Sequence, residues 1–214
     1  MSPLLLTIAL AGAPELVDVS TLSDRVRLDI RYATEDNFFG KKVYPEGRCI
    51  LRKEVAEMLL AAQAKLDARG EGEVLLLKDC YRPDHIQEVL WDAVKGTPKA
   101  RYVANPHTRT GSIHAYAAAV DLTLADAGGT ELDMGTPYDH LERLAEPRHE
   151  AEYLAKGALT KAQVAARRRL RTVMKAAGFT IIPNEWWHFN AAPSKEIRRR
   201  WKRLDVPFSA VPKS

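Results

Sequence analysis

The sequence predicts an α+β fold, a mixed and mainly antiparallel sheet with flanking helices, on three observations. β-type runs and amphipathic helical runs both recur along the chain, two of the strand-type runs are joined by a Gly-Gly turn, and an aromatic strand-type run follows the longest helical pattern. With 214 residues, 46% hydrophobic and 28% charged, the chain has enough apolar material for one substantial core. No Pro/Gly/Ser-rich linker and no internal repeat divides it. Residues 14–214 therefore read as one domain, preceded by an apolar segment, residues 1–13.

That first segment, "MSPLLLTIALAGAPEL", has an apolar run from Leu4 to Ala13 of signal-peptide length, but no Lys or Arg precedes it. Export, to the periplasm or the medium, and an N-terminal segment packed on the domain are both open readings. Nothing approaches the roughly 20 apolar residues of a membrane span. Val26, Leu28, Ile30 and Tyr32 alternate with polar residues and predict a half-buried strand, with "YATEDNFFG" as the loop after it. From Arg52 to Arg69, Val55, Met58, Leu59, Ala62 and Leu66 share one helical face, and Gly70 supplies the stop. "EVLLLKD" is a buried strand type. It ends in "CYRPDH", where Pro83 opens a helix with Ile86, Leu90 and Ala93 on its buried side, so Arg82 falls at a strand-to-helix junction. Residues 119–134 read as strand, Gly-Gly turn and strand, with Val120, Leu122 and Leu124 toward the core and Asp121 and Thr123 on the opposite face. Thr160 and Gln163 form a capping box for a long helix closed by Gly178. "FTIIPNEWWHFN" then has strand composition, broken at Pro183-Asn184.

The net charge of +4 is unevenly distributed, for residues 161–203 hold twelve Lys or Arg and two acids. Leu170, Val173, Met174 and Ala177 make an apolar stripe that leaves the arginines on the other side, so the basic runs read as a solvated helix face and not as a nucleic-acid surface. Weak attraction to an anionic cell-wall polymer is compatible with that face.

Candidate chemistry lies in two short stretches. "GSIHAYAAAVDLTL" sets His114 and Asp121 seven apart, and "EWWHF" carries Glu185 and His188. Neither spacing is rare. A second E-x-x-H, Glu146 and His149, sits in a charged segment and reads as solvated surface. His85, His107 and His140 likewise read as ordinary histidines. The aromatic run around Glu185 offers a rigid platform, but residues three apart on a regular strand face opposite sides. Glu185 and His188 serve one site only if the Pro183-Asn184 turn or a bulge re-aims Glu185. Were His114, Asp121 and His188 to converge, two imidazoles and a carboxylate would leave a fourth tetrahedral position open, the catalytic arrangement for zinc. Glu185 would then be placed as general base, and the Arg82 guanidinium as stabiliser of an oxyanion or clamp on a carboxylate.

The ordered set "YAT-x-x-NFFG", "DCYRP", "S-x-H-x6-D-L-T-L", "DMGTPYD" and "EWWHF" resembles the VanX-type D-alanyl-D-alanine dipeptidases, zinc metallopeptidases of the wider D-Ala-D-Ala carboxypeptidase and hedgehog-like fold. The resemblance implies one zinc ion per chain on His114, Asp121 and His188, Glu185 as general base, Arg82 as stabiliser of the intermediate, and Ser112, Tyr32 and Asp139 beside the substrate. Asp139 is the implied partner of a dipeptide's ammonium. The implied reaction is hydrolysis of D-Ala-D-Ala or a close D,D-dipeptide to free D-alanine. A D,D- or L,D-carboxypeptidase acting on peptidoglycan stems, or a zinc- or wall-binding module without catalysis, are the alternatives, and an intact Glu185 argues against the last.

Two positions depart from the family pattern. Ala117 stands where the pattern has glycine three residues after the first ligand histidine, which strains the turn if the backbone there needs a positive φ. Cys80 replaces a second glycine. Its possible companion is Cys49, a disulfide that would suit an exported enzyme, against two buried free thiols or Cys80 as a ligand.

Overall fold

A computed structural model describes residues 15–213, so the apolar Leu4–Ala13 run lies outside the described residues. In chain order the elements are β1 (Leu16–Asp18), β2 (Arg27–Leu28), β3 (Ile50–Arg52), α1 (Lys53–Asp67), β4 (Val74–Asp79), α2 (Asp84–Val94), β5 (Ala119–Ala125), α3 (Glu150–Ala155), α4 (Lys161–Ala176), β6 (Thr180–Ile181), β7 (His188–Asn190) and α5 (Ser194–Arg200). β1 and β3 pair antiparallel. The other strands form one sheet in the order β2-β4-β5-β7-β6, parallel at β2–β4 and antiparallel elsewhere. The fold is thus α+β with a mixed, mainly antiparallel sheet. Among the described residues no helix is long and apolar enough to cross a membrane.

The middle of the sheet explains the apolar runs of the sequence. Every residue of β4 and β5 is buried, because helices and loops cover both faces. Val55, Leu59, Ala62 and Leu66 of α1 are buried as their spacing predicts, and α1 packs beside α4. Each fully buried Leu or Val there contributes about 1.5–3 kcal/mol of transfer free energy. Gln63 of α1 ties the helix to the sheet by accepting the Leu75 N–H at 2.8 Å. The predicted capping box of α4 is present, Thr160 accepting from Gln163 N–H and Gln163 accepting from Thr160 N–H.

Four expectations need correction. The strand predicted over Val26–Tyr32 pairs only at Arg27–Leu28 and then tightens into a 3-10 turn, Arg31–Ala33. The Tyr32 carbonyl there accepts N–H bonds from Val43 and Tyr44 at 2.9 and 2.8 Å, which holds the returning loop and ends the strand. The second arm of the Gly-Gly hairpin shrinks to a single bridge between Ala125 and Glu131, since β7 already occupies the β5 edge at Ala119–Asp121. In α2 the buried stripe is Ile86, Gln87, Leu90 and Val94, with Ala93 exposed. Finally, Arg167 does not join the solvated face of α4. It is fully buried, and its guanidinium donates to the Met134 and Leu144 carbonyls at 2.6 and 3.0 Å, tying α4 to the loop after β5.

Cys49, just before β3, and Cys80, just after β4, are joined by a disulfide with Cα atoms 5.2 Å apart and a sequence separation of 31. A loop of that length restricts the unfolded chain by about 3–4 kcal/mol in the entropy model. We expect urea denaturation with reductant, or of a Cys49→Ser/Cys80→Ser variant, to show a loss of that size. An unchanged midpoint would mean that the bond contributes nothing to stability.

Candidate metal centre

Three strands deliver three polar residues in one row. Asp79 of β4 lies opposite Asp121 of β5, and Asp121 lies opposite His188 of β7. Directly opposed residues of antiparallel strands point to the same face. This register depends on a bulge. Leu77 still opposes Leu122, so Lys78 is the extra residue that brings Asp79 level with Asp121.

His114 reaches the same place from a 3-10 turn, Ile113–Tyr116, capped by the Ser112 hydroxyl. The chain leaves that turn through Ala117 at φ +52°, the left-handed region that favours glycine and costs other residues roughly 1–2 kcal/mol. The positive φ that the glycine of the family pattern suggested is therefore adopted here by alanine. Its surroundings enforce it. Arg52 donates from its backbone to the Ala117 carbonyl at 3.1 Å and from Nε to the Tyr116 carbonyl at 2.8 Å. The only other non-glycine residue with positive φ among those described is Asp139, at +61°, and it too borders this site.

His114, Asp121 and His188 each present one ligand atom, all within 4.8 Å of one another and all buried. Their neighbours fix which atoms these are. His114 Nδ1 lies 2.6 Å from the Cys80 carbonyl, an acceptor only, so Nδ1 carries the proton and the Nε2 lone pair faces inward. His188 Nε2 lies 2.8 Å from Asn190 Oδ1, which leaves His188 Nδ1 facing inward. The two inner nitrogens are 3.2 Å apart, and Asp121 Oδ1 lies 3.3 and 2.9 Å from them. Tyr138 donates to the other Asp121 oxygen at 3.1 Å. Three buried acceptors converge, the two imidazoles with their outer N–H groups already engaged, which calls for a cation, and a donor set of two imidazole nitrogens and one carboxylate oxygen fits zinc.

Glu185 stands beside this cluster without belonging to it. Asn184 and Pro183 form a turn, β7 begins only at His188, and Trp186 and Trp187 are buried as anchors, the former donating to Thr136 Oγ1 at 2.8 Å. The turn re-aims Glu185 so that its Oε2 lies 3.9 Å from His188 Nδ1. Burial, reinforced by Asp121 and Asp139, lifts the Glu185 carboxyl to about 8 despite the opposing pull of His188.

Arg82 is buried on the other side of Asp121, its Nη2 at 3.6 Å from Asp121 Oδ2. Asp79 accepts from its Nε and Nη2 at 2.8 and 2.5 Å, and Gln87 accepts from Nη1 at 2.9 Å. Asp79 is in turn held by Tyr44, whose hydroxyl donates at 2.7 Å, and the Tyr32 ring lies under the guanidinium at 5.1 Å. Tyr32 donates its hydroxyl to Asp139 at 2.9 Å. Burial and the nearby Asp121 raise Asp139 to about 8. Ser112, Tyr32, Asp139, Arg82 and Glu185 all line one cavity of about 180 Å³ with the three cluster residues.

Asp79, Gln87, Tyr138 and Asn190 were not singled out in the sequence, because a supporting side chain has no spacing of its own. Asn190, two residues after His188 on a strand, is the one whose alternation gave a signal. The other E-x-x-H pair lies elsewhere, and Glu146 is not solvated. It is fully buried, accepting from Tyr102, Arg101 and Arg148 at 2.7, 3.0 and 2.7 Å, a structural knot that shields its charge. Neither His140 nor His149 lines the central cavity.

Residues 12–211 match the model of the peptidase family M15, described as D-ala-D-ala dipeptidase. The chain is 33% identical to a D-alanyl-D-alanine dipeptidase of Escherichia coli over 84% of its own length and 86% of the relative's. It is 34% identical to one of Streptomyces coelicolor over 80% and 88% of the two chains, and 32% identical to one of Enterococcus faecium over 77% and 85%. With the matched residues spanning almost the whole described chain, the protein belongs to the D-Ala-D-Ala dipeptidase family of peptidases.

Proposed function

We propose that this peptidase is a zinc-dependent dipeptidase that hydrolyses D-Ala-D-Ala, or a closely related D,D-dipeptide, to free D-alanine. The observation that carries the reading is the convergence of His114, Asp121 and His188 beside Glu185, a carboxylate outside the ligand set. Preference for D residues rests on what the relatives are named for, since the ligand geometry has no handedness toward substrate. The cavity, about 180 Å³ against about 300–1,000 Å³ for drug-sized ligand sites, favours a free dipeptide over a peptidoglycan stem.

His114, Asp121 and His188 would hold the metal. Zinc bound there supplies Lewis-acid polarisation of the peptide carbonyl and lowers the pKa of water to about 7. Glu185 takes the proton of the water that attacks the carbonyl carbon and delivers it to the departing amine as the C–N bond breaks. For that task a carboxyl whose pKa burial has raised is better matched than an exposed one. Arg82, locked by Asp79 and Gln87, meets the negative charge that develops on the carbonyl oxygen without having to reorganise. Asp139, oriented by Tyr32, receives the substrate's ammonium, and Ser112 shapes the wall next to His114.

The deciding assay measures D-alanine released from D-Ala-D-Ala and, in parallel, from an acylated stem peptide ending in D-Ala-D-Ala, each with zinc and with chelator. Zinc-dependent cleavage of the dipeptide alone is expected. Cleavage of the stem peptide moves the assignment to a carboxypeptidase, and silence on both with one tightly held zinc points to a binding module. Glu185→Gln should keep one zinc per chain yet lower kcat by roughly 10²–10⁴-fold; near-normal turnover would remove Glu185 from the mechanism. Asn190→Ala frees the His188 tautomer and should weaken zinc affinity by about 10- to 100-fold in a chelator competition, with activity recovered at excess zinc.

A further inference from the structure

Among the described residues, Arg198 in the central cavity has no ion-pair partner. Arg198 of α5 lines it together with Ser194, one helical turn earlier, and Asn190 at the end of β7. Two nearby arginines are paired. Arg200 faces Glu54 at 3.8 Å and Arg203 takes Asp84 at 2.5 Å. Arg198 has no carboxylate within ion-pair distance among the described residues, and its Nε is buried without a hydrogen-bond acceptor. A guanidinium nitrogen shut off from water with nothing to donate to is costly. The cost is removed when an anion enters.

The other charges of the cavity are already committed. Arg82 is neutralised by Asp79, Asp121 faces the two imidazoles, and Glu185 stands over His188. That leaves the Asp139 carboxyl and the Arg198 guanidinium. Asp139 is tied to Tyr32, which follows β2, whereas Arg198 rides on α5, which follows β7. Asp121 and His188, on the neighbouring strands β5 and β7, line the same cavity. An α-dipeptide is a zwitterion whose ammonium and carboxylate flank the single peptide bond, and the cavity lining offers a carboxyl and an unpaired guanidinium for those two ends.

Resting on the dipeptidase reading, we propose that Arg198 binds the substrate's C-terminal carboxylate and restricts the enzyme to peptides with a free carboxylate directly after the scissile bond. Its five N–H donors in a planar fork match a carboxylate bidentately. The Asn190 amide donates to Ser194 Oγ at 3.4 Å, so Ser194 has its hydroxyl hydrogen available for the same anion. The cluster and the carboxylate site thus share one strand end, since Asn190 also fixes His188.

The test compares zinc-loaded wild type, Arg198→Gln and Arg198→Lys on D-Ala-D-Ala and on its C-terminal amide. Wild type should prefer the acid. Arg198→Gln should lose roughly 10- to 100-fold in kcat/KM on the acid, mainly through KM, while changing by no more than about 2-fold on the amide. Arg198→Lys should recover part of the loss. Equal losses on acid and amide would assign Arg198 a merely structural role, and no loss on the acid would overturn the proposal outright. If wild type hydrolyses neither compound, the dipeptidase reading fails on its own. Calorimetric binding of the two compounds to zinc-loaded Glu185→Gln protein then still judges Arg198: the same acid-to-amide preference with and without Arg198→Gln sinks it.

Discussion

Between Leu77 and Asp79 the β4 strand carries one residue more than β5 opposite it, and because side chains alternate across a strand this single insertion decides which face Asp79 meets. Without it Asp79 would oppose Val120 and point with the apolar residues into the core. With it, Asp79, Asp121 and His188 stand in a row over three adjacent strands. Arg82 follows, since Asp79 is what holds its guanidinium against the cavity. The bulged Lys78 is itself fully buried, and its ammonium is satisfied by Asp29 and Glu131 at 2.6 Å each. The irregularity is therefore fixed by an ion network and not left as slack in the sheet.

Around that row, neighbours settle the protonation of the cluster. The Cys80 carbonyl and the Asn190 side-chain oxygen each accept the outer proton of one histidine, so both inner nitrogens are left as lone pairs beside an ionised Asp121. Such a set is unfavourable when empty, because buried acceptors face one another without a donor. The same arrangement is preorganised for a cation. Cys80 also carries the disulfide to Cys49, which anchors the carbonyl that orients His114. Stability and site geometry meet in one residue.

Among the described residues, the non-glycine positions with positive φ both lie in the same neighbourhood. Ala117 turns the chain from His114 into β5, and Asp139 presents its carboxylate to the cavity, both with positive φ. Hydrogen bonds from Arg52 to the Tyr116 and Ala117 carbonyls and from Tyr32 to Asp139 hold these conformations in place. A glycine at 117 would relieve the strain but give up the buried methyl group and add freedom to the unfolded chain.

Much of this was legible in the residues. The apolar spacing of α1, the capping box of α4 and the continuous apolar run of β4 depend on local periodicity, which any chain segment carries within itself. The ordered motifs pointed to His114, Asp121, His188, Glu185 and Arg82, and the turn at Pro183-Asn184 was the condition under which Glu185 could reach His188's side. What stayed hidden depends on partners distant in sequence. Arg167 and Glu146 look like surface charges because composition counts charge and not the carbonyls and arginines that will surround it. The strand expected through Tyr32 was cut short by a loop returning from residues 43 and 44, and Arg198 looked like one more basic residue in a solvated run. Local pattern thus determined α1, α4 and β4 and supplied the candidate site residues. Register, tautomers and an Arg198 left without a carboxylate among the described residues were decided only when the strands met, because each is a property of pairs of residues far apart in the chain.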